Sequence, residues 1–253
     1  YEVDDTEVGF LTTAGTINIG NNPNQSGGIT IDSISGFDGA AALNVYTSGT
    51  VTLTGAPSIN SAGTGTITIN SSALNWDGTI QTDGGNVDLT GSDAITLNGA
   101  AGIDTESGND GNAGQILFDT GTPGDIDGAN TLTLDTSTTG GDGGNINLCR
   151  VGNTTSLTGL TIAADGSVTD GILNLYQNIN LDSGPVDFPG TSDIELQAVI
   201  ILDTESGNDG AGGSVNFATA GNIDGTFDFT INTATTNVGS TGGTVSTGNM
   251  GQN

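Results

Sequence analysis

Two copies of one acidic octapeptide carry the residues of this chain that are best suited to bind a cation. The sequence Asp-Thr-Glu-Ser-Gly-Asn-Asp-Gly occupies residues 104–111 and recurs at residues 203–210. Each copy places four carboxylate or amide side chains within seven residues, around a glycine, and oxygen ligands of this kind suit a hard cation such as Ca²⁺. The candidate calcium ligands are Asp104, Glu106, Asn109 and Asp110 in the first copy and Asp203, Glu205, Asn208 and Asp209 in the second.

The spacing of these residues leaves a second interpretation open. Neither copy follows the ligand order of the EF-hand loop or of the calcium-binding nonapeptide repeat. The alternative is an exposed loop in which Asp and Asn serve only to form turns, a role that their short polar side chains favour. Both interpretations fit the sequence.

Few of the usual catalytic groups are present. Without His or Lys, the chain lacks the side chains most used for proton transfer near neutrality and for Schiff bases. Carboxylate pairs such as Asp193 and Glu195, which share one side of a strand-like stretch, could act on polysaccharides, but aromatic residues that stack on sugars make up only 4% of the chain. We therefore predict no catalytic residues and no enzymatic activity. A polysaccharide hydrolase or lyase is the third functional interpretation, after the two given below.

The chain is almost without cations. Among 253 residues it has 29 Asp and Glu and a single Lys or Arg, Arg150, so its formal net charge is -28 at pH 7. Repulsion from phosphates argues against nucleic acids and anionic membrane surfaces as partners, and no run reaches the roughly 18 apolar residues of a membrane span. We expect salt and divalent cations to stabilise the chain and to favour its association, because they screen its self-repulsion.

Short segments with a period of two residues run through the whole chain. Each puts apolar side chains on one face and Thr, Asn or Asp on the other, which is the pattern of a strand with one buried and one solvated side. Gly, Asn, Asp and Ser end these segments after a few residues. Examples are residues 16–19, 51–53, 67–69, 87–89, 132–134, 146–148 and 215–217.

Longer repeats are superimposed on this period. The octapeptides are offset by 99 residues, and Ile126-Asp127-Gly128 recurs at residues 223–225. Short strands in such repeats predict an all-β fold, a parallel β-solenoid whose inward side chains stack into a narrow core. At roughly 20 residues per coil, the chain would form about 12 short-stranded coils. Pairs of small residues precede strands at irregular intervals, at residues 27–28, 84–85, 113–114, 143–144, 212–213 and 242–243.

We expect a single solenoid domain over residues 1–253. Residues 1–83 form divergent N-terminal coils, residues 84–182 form one repeat copy, and residues 183–253 form a second, partial copy. Cys149, the single cysteine, is expected to be a small buried side chain. The alternative for this thiol is a disulfide to another chain.

The glycine-rich repeats resemble those of giant bacterial surface proteins related to filamentous haemagglutinin. The resemblance is carried by residues 134–148 (LDTSTTGGDGGNINL), by residues 151–162 (VGNTTSLTGLTI) and by the two octapeptides, and it covers about residues 84–247. It implies a right-handed parallel β-helix, export to the bacterial cell surface and a role in adhesion or extracellular structure. It supplies no catalytic residues, and this chain is far shorter than the members of that family.

Both ends of the chain have a strand-like pattern without a helical cap. A solenoid with uncovered end coils exposes strand edges and the end of its core, which favours stacking on a second copy. The residues expected to make this contact are Val8, Phe10 and Leu11 near the start and Val245 near the end.

These observations predict a secreted structural subunit that polymerises head to tail into an extracellular fibre or surface layer. The alternative is a segment of a large cell-surface adhesin that binds a glycan or substratum, with its ends capped by flanking repeats. The expected partner is a second copy of the chain, and calcium is the one candidate cofactor.

Overall fold

The chain folds as a parallel β-solenoid. A computed structural model describes residues 2–3, 15–20, 26–37, 42–121, 124–190, 192–217 and 221–247. Within these residues all 24 regular elements are β-strands, and the ladders between them are parallel. The predicted fold class is confirmed. The described residues contain no helix that is long and apolar enough to cross a membrane.

Nine strands form one face of the solenoid, which we call the first face, and each turn contributes one of them. Numbered in chain order, they are β2 (Ile17–Gly20), β4 (Leu43–Tyr46), β6 (Ile67–Ser71), β8 (Val87–Ser92), β10 (Ile116–Phe118), β13 (Ile146–Leu148), β16 (Ile172–Leu175), β19 (Asp193–Leu196) and β22 (Ile223–Asp224).

The other fifteen strands form a second sheet, which supplies two further faces. Its first members are β1 (Glu2–Val3) and four longer strands, β3 (Ile29–Phe37), β5 (Thr50–Ser61), β7 (Ala73–Gln81) and β9 (Ala94–Asp104). The sheet divides at β9. Residues 94–96 pair with residues 125–127 of the next turn, on what we call the second face, and residues 101–104 pair with residues 132–135, on the third face. The second face continues as β11 (Asp125–Asp127), β14 (Arg150–Val151), β17 (Ile179–Asn180), β20 (Ile200–Asp203) and β23 (Phe229–Asn232). The third face continues as β12 (Thr131–Asp135), β15 (Gly159–Ala163), β18 (Val186–Asp187), β21 (Val215–Phe217) and β24 (Val245–Thr247).

The chain makes about eight turns, fewer than the coil count expected from roughly 20 residues per coil. Partner residues on the first face lie 20 to 30 positions apart, as between Ile67 and Val87 or between Ile116 and Ile146. Loops at the corners account for the difference, because they lengthen a turn without adding a strand. At about 4.8 Å per step, the solenoid is on the order of 40 Å long.

Apolar side chains from all three faces point inward and stack into one narrow core. Burial alternates along the strands, as in β4, where Leu43 and Val45 are buried and Asn44 is half-buried. Trp76 lies entirely inside the column. On the outer surface polar side chains form ladders, as where the Asn44 amide donates to Oδ1 of Asn18 at 2.9 Å. The predicted division between an apolar interior and a polar surface is therefore present in the fold.

The small-residue pairs of the sequence lie where successive turns come closest. On the corner between the third and first faces, a Cβ on Gly144 would lie 1.9 Å from the carbonyl oxygen of Gly114, and one on Gly114 would lie 2.1 Å from that of Gly85. On the corner between the second and third faces, a Cβ on Gly243 would lie 1.9 Å from the carbonyl oxygen of Gly213. These positions need glycine because the neighbouring backbone occupies the space of a side chain.

The two repeat copies lie at different positions around the solenoid axis. Residues 87–89 belong to β8 on the first face, whereas residues 186–188, which follow at the same 99-residue offset, lie at the third face. The octapeptides differ in the same way. Residues 104–111 connect the third face to the first, and residues 203–210 connect the second face to the third. One local sequence therefore forms equivalent structure at two different corners.

Candidate functional site

Each octapeptide begins with a turn that its first aspartate closes. Oδ1 of Asp104 accepts a hydrogen bond from the N–H of Glu106 (3.1 Å), and Oδ1 of Asp203 accepts one from the N–H of Glu205 (3.0 Å). Such Asx turns end a strand and start a loop. The threonine hydroxyl that follows donates to a glycine carbonyl at the far end of the loop, at 2.8 Å in both copies: Thr105 to Gly114 and Thr204 to Gly213.

Three carboxylates meet at the first octapeptide, those of Asp83, Glu106 and Asp110, and one oxygen from each lies within 4.8 Å of the others. Glu106 is only 2% exposed, and its Oε1 accepts hydrogen bonds from the N–H groups of Asp110 (3.2 Å) and Gly111 (3.1 Å). Asp83 forms a bridge with Glu106 from the preceding turn. Its Oδ1 is buried without a hydrogen-bond partner among the described residues. The cluster therefore joins two turns and leaves one buried acceptor unsatisfied.

The second octapeptide builds the same arrangement from Asp182, Glu205 and Asp209. Glu205 is fully buried, and its Oε1 accepts hydrogen bonds from the N–H groups of Asp209 (2.9 Å) and Gly210 (2.8 Å). Its Oε2 accepts a further hydrogen bond from the hydroxyl of Ser183 at 2.6 Å. The two clusters share their acids and main-chain donors and differ by this one side-chain donor.

The extra hydrogen-bond donor of the second cluster comes from one position, which is Gly84 in the first copy and Ser183 in the second. The Ser183 hydroxyl stabilises the ionised form of Glu205 and lowers the pKa of that carboxyl. At the first cluster, burial raises the pKa of Glu106, and the nearby Asp83 adds to the increase. The two glutamates therefore differ in the direction of their pKa shifts: the pKa of Glu205 is lowered and that of Glu106 is raised.

Four of the eight predicted calcium ligands belong to the clusters: Glu106, Asp110, Glu205 and Asp209. The other four shape the loops: Asp104 and Asp203 form the Asx turns, and Asn109 and Asn208 adopt left-handed backbone conformations with φ of 55° and 54°.

Asp83 and Asp182 are not among the predicted ligands, because each lies one turn before its octapeptide rather than within it. A signal was present nonetheless. Asp83 and Asp182 are separated by the same 99 residues as the octapeptides, and both are followed by a small residue and a glycine. Extending the repeat upstream of residue 84 would have identified them.

The clusters match the ligand chemistry of a hard cation. Ca²⁺ takes roughly six to eight oxygens, so main-chain carbonyls or water would have to complete the three carboxylates of each cluster. Carboxylates this close together repel one another when no cation lies between them. Calcium binding at these clusters stays a prediction.

In the last turn that the structure describes, the outer strand edges have no described partner. Among the described residues β22, β23 and β24 each pair only with the preceding turn. Apolar side chains are less buried there: Phe229 and Ile231 are only partly buried, and Val245 is 43% exposed. Val215 donates to the carbonyl of Thr244, so the parallel ladder directs the N–H of Val245 toward the open edge. The predicted terminal strand is present, and the N–H of Val245 points away from β21.

The first turn is described only in part. β2 pairs with β4 and with no other described strand, so its outer edge has no described partner. β1 forms a short parallel ladder with β3, as the strand-like pattern near the start predicts. The predicted contact residues Val8, Phe10 and Leu11 lie outside the described residues.

The remaining candidate residues lie apart from the clusters. Cys149 is buried, as predicted, and burial raises the pKa of its thiol. Arg150 forms a bidentate ion pair with Asp125, at 2.6 and 2.9 Å. Asp193 and Glu195 lie on the exposed side of β19, where Asp193 accepts a main-chain hydrogen bond from the next turn. Both acids are thus placed like other outward residues of a strand.

No protein-family model, curated protein or solved structure matches this chain. A functional proposal therefore rests on the parallel solenoid, its two carboxylate clusters and its open last turn.

Proposed function

We propose that the chain is a structural subunit that associates head to tail into an extracellular fibre or surface layer. The observation that carries this proposal is the last turn, where three strands have no described partner on their outer side around the end of the apolar core. A solenoid that ends in this way can continue by adding the first turn of a second copy.

The two ends of the chain differ, so this contact is heterologous. An interface between the last turn of one copy and the first turn of the next repeats at every subunit without closing into a ring. Its geometry would follow the ladders within the chain, with parallel strands about 4.8 Å apart and apolar side chains stacked inside. The expected product is a filament.

Charge sets the conditions for this assembly. Copies with a net charge of -28 repel one another. Calcium bound at the clusters around Glu106 and Glu205 would reduce that charge and would link neighbouring turns, because each cluster contains acids from two turns. Calcium is therefore part of the proposal, as an ion that favours both the folded chain and its association.

The proposed location is the bacterial cell surface or its surroundings. Support comes from the resemblance of the repeats to haemagglutinin-related surface proteins, with which a parallel solenoid is compatible. A surface layer or fibre is also a setting in which a slender, repetitive and highly charged subunit serves a mechanical role.

The edge of β24 offers a direct test. Val245→Pro removes the N–H that points to the open edge, whereas the ladder to β21 does not use that group. We expect the unmodified chain to form filaments at high protein concentration and millimolar calcium, as seen by negative-stain electron microscopy and sedimentation velocity. The Val245→Pro variant should stay monomeric, and Val245→Thr, which keeps the N–H, should still polymerise.

A chain that stays monomeric under these conditions would contradict the proposal. That outcome would favour the second candidate, a segment of a larger adhesin whose flanking repeats cover both ends. The open edges of the last turn fit this candidate too, because a flanking coil would pair with them in the same way.

A further inference from the structure

A groove on the corner between the first and second faces lies away from both carboxylate clusters. Its volume is about 640 Å³, which falls in the size range of small-molecule sites. It crosses three consecutive turns, with Tyr46 in the first, Asn70 in the second and Gly91 in the third. Thr47, three serines and Asp93 complete the part of its lining that the structure describes.

The register of the first face creates this groove. Tyr46 pairs with Asn70 at the ends of β4 and β6, and Asn70 pairs with Gly91 in β8 after a register shift. A Cβ at Gly91 would lie 2.3 Å from the amide nitrogen of Asn70. Because Gly91 carries no side chain, the side chain of Asn70 can lie over it at this corner, where Tyr46 also lines the groove.

Hydrogen bonds hold the floor of the groove in place. The hydroxyls of Ser71 and Ser92, both buried, lie 3.3 Å apart, and that of Ser72 donates to the carbonyl of Gly49 at 2.9 Å. Above this floor the side chains of Asn70 and Asp93 are exposed. Tyr46 is half-buried and is one of the residues that line the groove. The groove thus combines hydrogen-bonded serines with one aromatic side chain and the exposed side chains of Asn70 and Asp93.

We propose that this groove binds a neutral oligosaccharide. A sugar ring has an apolar C–H face and a rim of hydroxyls. The Tyr46 ring offers an aromatic surface for the C–H face, and the Asn70 amide and the Asp93 carboxylate offer a donor and acceptors for the hydroxyls. Three turns give the groove a length on the order of 10 Å, so it can follow a chain of linked sugars.

Charge selects against the other ligand classes. The described lining contains no cationic side chain, and Arg150, the single cation of the chain, is paired with Asp125 outside the groove. A net charge of -28, with Asp93 in the groove itself, repels phosphates, sulfated sugars and uronic acids. A purely apolar ligand would cover Asn70 and Asp93 without replacing their bonds to water.

The test is isothermal titration of the full chain with maltohexaose, cellohexaose and chitohexaose, in EDTA and at a concentration where the chain is monomeric. We expect at least one of these probes to bind. Tyr46→Ala should weaken that binding about tenfold, the size of one aromatic contact, and Tyr46→Phe should retain most of it. Asn70→Ala should weaken it as well.

The chain contains a matched control in Tyr176. This residue comes directly after β16, at the same corner of the solenoid where Tyr46 ends β4. It is half-buried like Tyr46, and it lies outside the groove. Tyr176→Ala should therefore leave binding unchanged. The proposal is overturned if none of the three probes binds, or if Tyr46→Ala and Tyr176→Ala weaken binding equally while circular dichroism shows both to be folded. Neither result depends on whether the chain forms filaments.

Discussion

At the level of single residues, the two octapeptides form a comparison within one chain, since all eight of their residues are identical. Their buried glutamates nevertheless differ in acid–base behaviour. Ser183 donates to Glu205 and lowers its pKa, whereas burial raises the pKa of Glu106, beside which Gly84 supplies no hydroxyl. A residue one turn away thus changes the pKa of a glutamate within an identical loop.

Replacing Ser183 by Ala is expected to raise the pKa of Glu205, because the ionised carboxylate loses its side-chain donor. Carbon-13 NMR titration of the glutamate carboxyl carbons in EDTA measures this change. Ser72→Ala removes a hydroxyl that donates to a main-chain carbonyl elsewhere and should leave the titration of Glu205 unaltered. An unchanged Glu205 pKa in the Ser183→Ala variant would contradict the assignment.

The Ser183→Ala variant also predicts how the free energy of unfolding should depend on pH. With its native pKa lowered, Glu205 contributes stability that is present above its ordinary pKa and lost as the pH falls through the lowered value. Glu106, with a raised native pKa, has the opposite sign: its contribution favours folding at low pH and is lost as the pH rises through the raised value. The difference in unfolding free energy between the unmodified chain and Ser183→Ala should therefore shrink as the pH falls.

At the level of strands and corners, close approach of the backbone sets the repeat pattern. Glycines follow one another from turn to turn at two corners, and each occupies a place where the carbonyl of the preceding turn leaves no room for a side chain. The strands between these corners tolerate a choice among Ile, Leu, Val and Phe, because their task is to fill a narrow core. The glycines are therefore more restricted than the core residues.

Gly144→Ala tests this restriction. The new Cβ would lie 1.9 Å from the carbonyl oxygen of Gly114, and because the obstacle is backbone we expect a loss of about 3 kcal/mol or more in the free energy of unfolding. Urea unfolding measures the loss. Gly27→Ala is the matched control, since a Cβ at Gly27 would have no atom of a described residue within 4 Å. Equal stability of the two variants would show that the turns can separate to admit a side chain.

At the level of the whole molecule, a slender fold has to carry a charge of -28. A narrow core is adequate because every turn adds ladder hydrogen bonds and apolar contact to the turn before it. The cost of this arrangement is repulsion along the axis, and it is greatest where acids from adjacent turns converge, as at Glu106 and Glu205.

If calcium binds at the clusters as proposed, it is expected to raise the midpoint of thermal unfolding by more than NaCl of equal ionic strength, because salt only screens charge. Linkage gives about 2.7 kcal/mol per site at a calcium concentration 100-fold above Kd. The double variant Asp83→Asn with Asp182→Asn should lose this calcium-specific increment. Asp193→Asn with Glu195→Gln removes two exposed charges outside the clusters and should keep it. Identical increments in all three proteins would leave screening as the whole effect.

Much of the fold could be predicted from the sequence, because the signals for it are local. Alternation along segments such as residues 67–69 and 146–148 indicates strands with one buried side, and the small-residue pairs indicate close packing between turns. The acidic octapeptides could also be singled out. The number of turns was harder to predict, because loops of different lengths at the corners change the number of residues per turn.

Local period and composition specify the class of architecture, a parallel all-β solenoid with a polar, acidic surface, because they act on each segment separately. Which residues meet across turns depends on the folded path of the whole chain. Asp83 reaches Glu106, and Asp182 reaches Glu205, because each pair is one full turn apart, and Tyr46, Asn70 and Gly91 share a groove for the same reason. The length of a turn is the sum of its strands and loops, so contacts across turns depend on the whole path of the chain and not on any motif within it.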